Sequence, residues 1–174
     1  MIDLGKYLKI LNQTFHNNGL ILEHPDKPLE FIKDKSGNII ELEAHRFRIK
    51  FLDGNSLDYD ELGYIIFGNV DMYEIKVHKY HFNASVEDFH PFRIDLDKQS
   101  CHANDYDTSK VKYNPSWPDH LGYPNDIDLN ITNFNLILAI NTSLIYISTK
   151  NYPLENTYAT SFNSSNERLR RQLS

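Results

Sequence analysis

The strongest constraint on the fold is a series of period-two segments joined by connections too short to hold a crossover. From Arg46 to Phe51, Phe47, Ile49 and Phe51 share one parity while Arg46, Arg48 and Lys50 share the other, which is the alternation of a half-buried strand. Asp53-Gly54 follows as a hairpin turn. Leu57, Tyr59 and Glu61 then fall on one parity, an apolar run occupies Tyr64 to Phe67, and Gly68-Asn69 marks a second turn. From Val70 to Phe82 the pattern places Tyr73, Ile75 and Val77 on one face and Glu74, Lys76, His78 and Tyr80 on the other. After a turn at Ala84 to Asp88, Phe92, Ile94 and Leu96 alternate with Arg93, Asp95 and Asp97. Short loops between successive strands imply an antiparallel meander with one covered and one wet face.

A sheet of this kind needs a cover, and both ends of the pattern supply helices. Leu4, Leu8, Leu11 and Phe15 line one side of a helix predicted from Ile2 to Phe15, with Asp3 at its front and a stop at Asn17-Asn18-Gly19. The segment Asn133 to Ser148 carries Phe134, Ile137, Ile140, Leu144 and Ile147 at helical spacing. Its β-branched residues favour strand and its length favours helix; Thr132 stands as the predicted cap. Leu20 to Glu23 and Pro28 to Lys33 are further short apolar runs, and residues 97–127 read as one long loop. The expected fold class is α+β: an antiparallel sheet of about five or six strands with an N-terminal and a C-terminal helix on one face. Residues 1–150 form this domain, and residues 151–174, rich in Ser, Thr and Asn, form a peripheral extension.

Of the 174 residues, 40% are hydrophobic and 13% aromatic, enough for a core and too many for wholesale disorder. Eighteen Lys and Arg against 24 Asp and Glu give a net charge of −6, which excludes a broadly basic, histone-like surface but not a local basic site. One cysteine excludes a disulfide framework and a Cys-rich zinc site. No apolar run reaches membrane-spanning length and no signal-peptide pattern opens the chain, so a soluble, cytoplasmic protein is expected.

Two groups of residues carry candidate chemistry. Arg46, Arg48, Lys50, Lys76, His78, Arg93 and Asp95 fall on polar strand positions, and neighbouring strands would gather them onto one sheet surface suited to phosphate or carboxylate. The same charges read equally as a solvated face on which Glu74 and Asp95 pair with the cations. His81 has the parity of Tyr73, Ile75 and Val77, hence a core-edge position unless a bulge turns it outward. The second group is the loop with Asp97, Cys101, His102, Asp105, Asp107 and Trp117-Pro118-Asp119-His120. Here imidazole and carboxylate suit general acid–base work. No metal is assigned, since His102 and His120 lack a preformed-site spacing, and Cys101 beside His102 points away from it on an extended segment. No cofactor is implied.

The order of these motifs resembles the TumE-like family of small bacterial proteins, assigned as toxins of toxin–antitoxin modules. The residues that carry the resemblance are RFRIKFLDGNSLDYDEL from Arg46 to Leu62, then KVHKYHF, FRIDLD leading to Cys101-His102, and WPDH. It covers roughly residues 2–148. By position, Arg48 matches a basic strand residue, His81 an aromatic-flanked His, Arg93 and Asp95 an Arg-aromatic-Asp strand, and His102 and His120 the family's histidines. Ile94, Cys101 and Asp119 depart from the pattern. The resemblance implies a toxin-like component of a toxin–antitoxin or phage-defence locus, acting on RNA or a nucleotide and held by a cognate antitoxin. Arg48 and Arg93, with Arg46 and Lys76, would hold phosphate; His81, His102 and His120, with Asp95, would supply proton transfer. The alternative is a non-enzymatic binding or immunity protein using the same face. Oligomeric state is left open.

Overall fold

Three long antiparallel strands carry the fold. The computed structural model describes residues 1–84, 89–96, 101–104, 135–149, 168 and 171–173. The elements run β1 (Ile2–Asp3), α1 (Leu4–Asn17), β2 (Ile21–Glu23), β3 (Glu30–Lys33), β4 (Ile39–Phe51), β5 (Ser56–Ile66), β6 (Met72–Ala84), β7 (Phe89–Leu96), β8 (Cys101–Asn104) and α2 (Leu136–Thr149). The sheet order is β2-β4-β5-β6-β7-β8. The short β2 and β3 lie along the same outer strand β4, and β1 pairs with Met72 and Tyr73 of β6. Residues of both helices and of the inner face of β4, β5 and β6 share one core. The architecture is α+β, as the alternation and the two helical segments imply.

Several elements differ from the sequence expectation. Ile2 and Asp3 form a strand rather than the first helical residues, because the Asp3 carboxylate caps α1 by accepting from Lys6 N at 2.9 Å. Within the segment read as one long loop, Cys101–Asn104 pairs with β7 as an added strand. Its four residues are too short and too polar to show a period of two. Helix α2 begins at Leu136 and is capped by Asn135, whose Oδ1 accepts from Leu138 N at 3.2 Å; the predicted cap Thr132 and the turn at residues 85–88 lie outside the described residues.

The β4–β5 hairpin turns where Asp53-Gly54 predicts, with Gly54 at φ 84 and Gly54 N donating to Phe51 O at 3.0 Å. A non-glycine residue pays a steric penalty in that region. Asp53 accepts from both the backbone and the side chain of Asn55, which holds the turn closed.

Inward alternation along β5 is unbroken: Leu57, Tyr59, Glu61, Gly63 and Ile65 are all buried. Both neighbours of β5 break theirs. In β4, Ala44 pairs with Glu61 and Phe47 with Tyr59, so two residues, His45 and Arg46, oppose Asp60 alone. In β6, Val77 pairs with Leu62 and Ile75 with Gly63, leaving Lys76 as the extra residue. Each bulge shifts the parity of everything beyond it. The inner residues of β4 therefore change from Leu42 and Ala44 to Ile49 and Phe51, and those of β6 from Tyr73 to His78, Tyr80 and Phe82. This corrects the polar-face assignment of His78 and Tyr80, both fully buried.

His78 stacks on Tyr80 with ring centroids 4.6 Å apart, and burial lowers its pKa to about 3. The unfolded chain takes up this proton near pH 6.5 while the folded chain excludes it until about pH 3. Stability is therefore fully present above pH 6.5 and falls by about 1.4 kcal/mol per pH unit below it. Urea unfolding at pH 7.5, 6 and 5 should show that slope, and His78→Phe should flatten it by about one proton. Equal slopes in the two proteins would contradict a buried neutral imidazole.

Glu61 is the polar centre of the core. Its Oε1 accepts from Tyr7 Oη at 2.7 Å and Tyr73 Oη at 3.1 Å, and its Oε2 from Tyr80 Oη and from Leu136 N at 2.9 Å. One carboxyl thus joins α1, β5, β6 and the first turn of α2, where a negative charge also suits the helix dipole. Burial pushes the Glu61 pKa up, and the hydroxyl and amide donors oppose that shift. The three tyrosines, buried beside it, are pushed well above their ordinary range and remain donors.

Residues Leu136 to Ile140 of α2 are all buried, so the helix start is enclosed rather than one-sided. Thr142 and Ser143 satisfy their hydroxyls on Leu138 O and Ala139 O. Leu173 is buried in the same core. Among the described residues no helix is long and apolar enough to cross a membrane.

Candidate functional site

The face of the sheet opposite the helices is polar, and cross-strand pairing arranges it in rows. One row runs Arg48–Asp58–His81–Arg93–Asn104 across β4 to β8. The next runs from the His45-Arg46 bulge through Asp60, Lys79 and Asp95 to His102. Neighbours in such rows stand about 5 Å apart, so each row extends over roughly 20 Å.

Arg48 and Asp58 form a two-pronged pair, Nε to Oδ1 at 2.5 Å and Nη2 to Oδ2 at 2.8 Å. Asn83 Nδ2 donates to the same Oδ2 at 3.0 Å. Burial raises the Asp58 carboxyl, but the Arg48 hydrogen bonds and charge, with Asn83 and the nearby His81, outweigh it and hold the pKa below the ordinary value. His81 is half-buried; the Lys76 bulge has turned it from the apolar parity to the position opposite Asp58.

In the second row the backbone itself is unusual. Arg46 has φ 55, a left-handed conformation that costs a non-glycine residue about 1–2 kcal/mol. Asp60 holds it there: Oδ1 accepts from Arg46 N at 2.9 Å and is bonded to His45 Nδ1 at 2.9 Å. The two bulges flank the same stretch of β5 and leave a depression of about 330 Å³ between them, lined by Glu43, His45, Arg46, Asp60 and Lys79 over a floor that includes Leu62 and Val77. Bulges recur beside active sites because they re-aim side chains out of the pleat. A second depression of about 360 Å³ lies between α1 and α2, lined by Ile10, Gln13, Thr14, Asn17, Ile137 and Asn141 among others. It is of similar size but holds no ionisable group, so the polar sheet face is the better candidate site.

The sequence-predicted residues divide accordingly. Arg48, His81 and Arg93 occupy one row; Arg46, Asp95 and His102 belong to the next. Lys76 stands apart in its bulge, 2.7 Å from Glu74, and Lys50 pairs with Glu23. His120 lies outside the described residues. No protein-family model, curated protein or solved structure matches the chain. The site is therefore defined by its own geometry. Among the described residues no group of three or more His, Cys, Asp or Glu is placed to hold a metal ion.

His45, Asp60 and Lys79 have no place among the sequence candidates. A strict period of two sends His45 inward with Phe47, and only the bulge brings it out. The signal was present as a parity switch in apolar residues, Leu42 and Ala44 on even positions and Phe47, Ile49 and Phe51 on odd ones.

Proposed function

We propose that the chain is a toxin-like component of a bacterial toxin–antitoxin or phage-defence module, acting on RNA or a nucleotide through the polar sheet face. One observation carries this reading: cross-strand register aligns Arg48, His81 and Arg93 in one row and Asp95 and His102 in the adjacent one. Guanidinium groups hold phosphate in a fixed fork, and imidazoles beside carboxylates accept and return protons near neutral pH. The His45–Asp60 pair adds a third imidazole on the same face, this one hydrogen-bonded to a carboxylate. An acidic chain is compatible with this work where a few cations stand together, as Arg46 and Lys79 do beside one depression.

A second reading, a non-enzymatic protein that holds an acidic partner, is favoured by the ion pairs Arg48–Asp58, Lys50–Glu23 and Lys76–Glu74, which an incoming carboxylate surface would exchange. Inducible expression of the full chain in a bacterium separates the two. Wild type should stop growth, and His81→Ala with His102→Ala should restore it, since general acid–base groups contribute about 10²–10⁴-fold. No arrest in any genetic context would remove the toxin reading. Arrest that persists in the double variant would transfer the effect to partner binding.

A further inference from the structure

We infer that the depression between the two bulges binds a mononucleotide by its phosphate. This rests on the polar face being a nucleotide-directed site and names the ligand class and the subsite within it. Size comes first: about 330 Å³ lies at the small end of ligand pockets, room for one phosphorylated nucleoside. Charge comes second. Arg48, Lys50 and Lys76 are each engaged by a carboxylate, whereas among the described residues no ion pair engages the side chain of Arg46 or Lys79, both exposed. An anion meeting this face reaches those two cations without displacing a partner among the described residues, whereas at Arg48 it would have to displace Asp58.

The surroundings fit the rest of a nucleotide. Asp60 is committed to His45 and to the Arg46 backbone, so it fixes the site. With Nδ1 held by Asp60, the Nε2 of His45 is the ring nitrogen left for a ligand. Leu62 and Val77 in the floor supply apolar surface for the nucleoside and exclude water from the ion contacts. Glu43 at the edge accepts hydrogen bonds from hydroxyl or amino groups and repels additional phosphates. Two cations set against two carboxylates, Glu43 and the committed Asp60, leave little positive charge to spare, which suits a monophosphate better than a triphosphate.

Titration calorimetry of the full chain with adenosine monophosphate, adenosine, adenosine triphosphate, inorganic phosphate and a 20-nucleotide RNA tests this. Adenosine monophosphate should bind one site with Kd below ~1 mM, with adenosine, inorganic phosphate and the triphosphate each weaker by about tenfold or more. Arg46→Gly suits the left-handed backbone while removing the guanidinium, and Lys79→Gln changes an exposed strand position. Each should weaken the monophosphate by about tenfold with the circular dichroism spectrum and melting temperature retained, and Lys9→Gln, an exposed cation of α1 on the other side of the sheet, should change it less than twofold. No monophosphate binding at several millimolar, binding of the RNA alone, or equal losses in Lys9→Gln and Lys79→Gln would each overturn the site. Growth arrest by a chain that binds no mononucleotide defeats this inference and leaves the toxin reading standing. Mononucleotide binding without growth arrest supports the site and defeats the toxin reading.

Discussion

Glu61→Ala is expected to cost about 4–5 kcal/mol, a large part of the stability of a domain of this size. The substitution removes the acceptor for three buried tyrosine hydroxyls and for the Leu136 amide. Each orphaned group carries a desolvation cost of about 1–3 kcal/mol, partly recovered where water or a rotated hydroxyl reaches it. The lost contact also unties the α2 start from β5. Glu61→Gln keeps the volume but sets an amide NH₂ against two of the donors, so an intermediate loss of about 2–3 kcal/mol is expected. Chemical denaturation checks both values. Should the alanine variant fail to fold, Tyr7→Phe and Tyr73→Phe give the same information in smaller steps, about 1 kcal/mol each. A Glu61→Ala protein within 1 kcal/mol of wild type would show that the carboxyl does not organise the core.

Gly63→Ala should be nearly as damaging, about 3 kcal/mol, although it adds one methyl group. A Cβ at this position would stand 2.8 Å from Tyr73 Cζ and 2.6 Å from Glu74 O. The backbone carbonyl cannot move without disturbing the β5–β6 pairing, and the Tyr73 ring cannot move without leaving Glu61. Gly63 is thus the gap through which the Tyr73 ring crosses the inner face, placing its hydroxyl 3.1 Å from Oε1. Thermal unfolding gives the comparison, with Gly68→Ala as the control: a Cβ there would meet Val70 O at 3.4 Å, and the melting temperature should hardly change. If Gly63→Ala melts with wild type, the close packing of Tyr73 over β5 is refuted.

These two residues show what alternation makes legible. Glu61 shares the parity of Leu57 and Tyr59, so a strand period alone sends it to the core. What the period cannot contain is which hydroxyls meet it, because they arrive from two other elements, α1 and β6. The Gly63 gap is likewise invisible until Tyr73 is known to cross it.

The polar face divides in the same way. Arg48 and Lys50 are exposed where the pattern of β4 places them. His78, read outward by the same rule, is buried, and His81, read inward, stands opposite Asp58. One unpaired residue, Lys76, reverses both. His45 and Asp60 enter the site only because a second extra residue in β4 leaves Asp60 facing two residues instead of one.

The parts whose information is local are legible in the chain alone. These are an amphipathic N-terminal helix, a hairpin at Asp53-Gly54 and long strands on either side of it, all written in spacings of two, three or four residues; the apolar C-terminal segment, whose β-branched residues pull towards strand, is helical only in the fold. Tertiary structure alone decided the register. It set the two bulges, the joining of Glu61 to both helices, the short strand Cys101–Asn104 beside β7, and the depression that gathers His45, Arg46 and Lys79. The reason is physical. Alternation specifies a face only relative to neighbouring residues in the same strand, whereas a bulge is chosen by the fit between two strands. In this chain that fit lets Ala44 and Phe47, Tyr73 and Tyr80 all reach one core, and the polar site is what the opposite face becomes as a result.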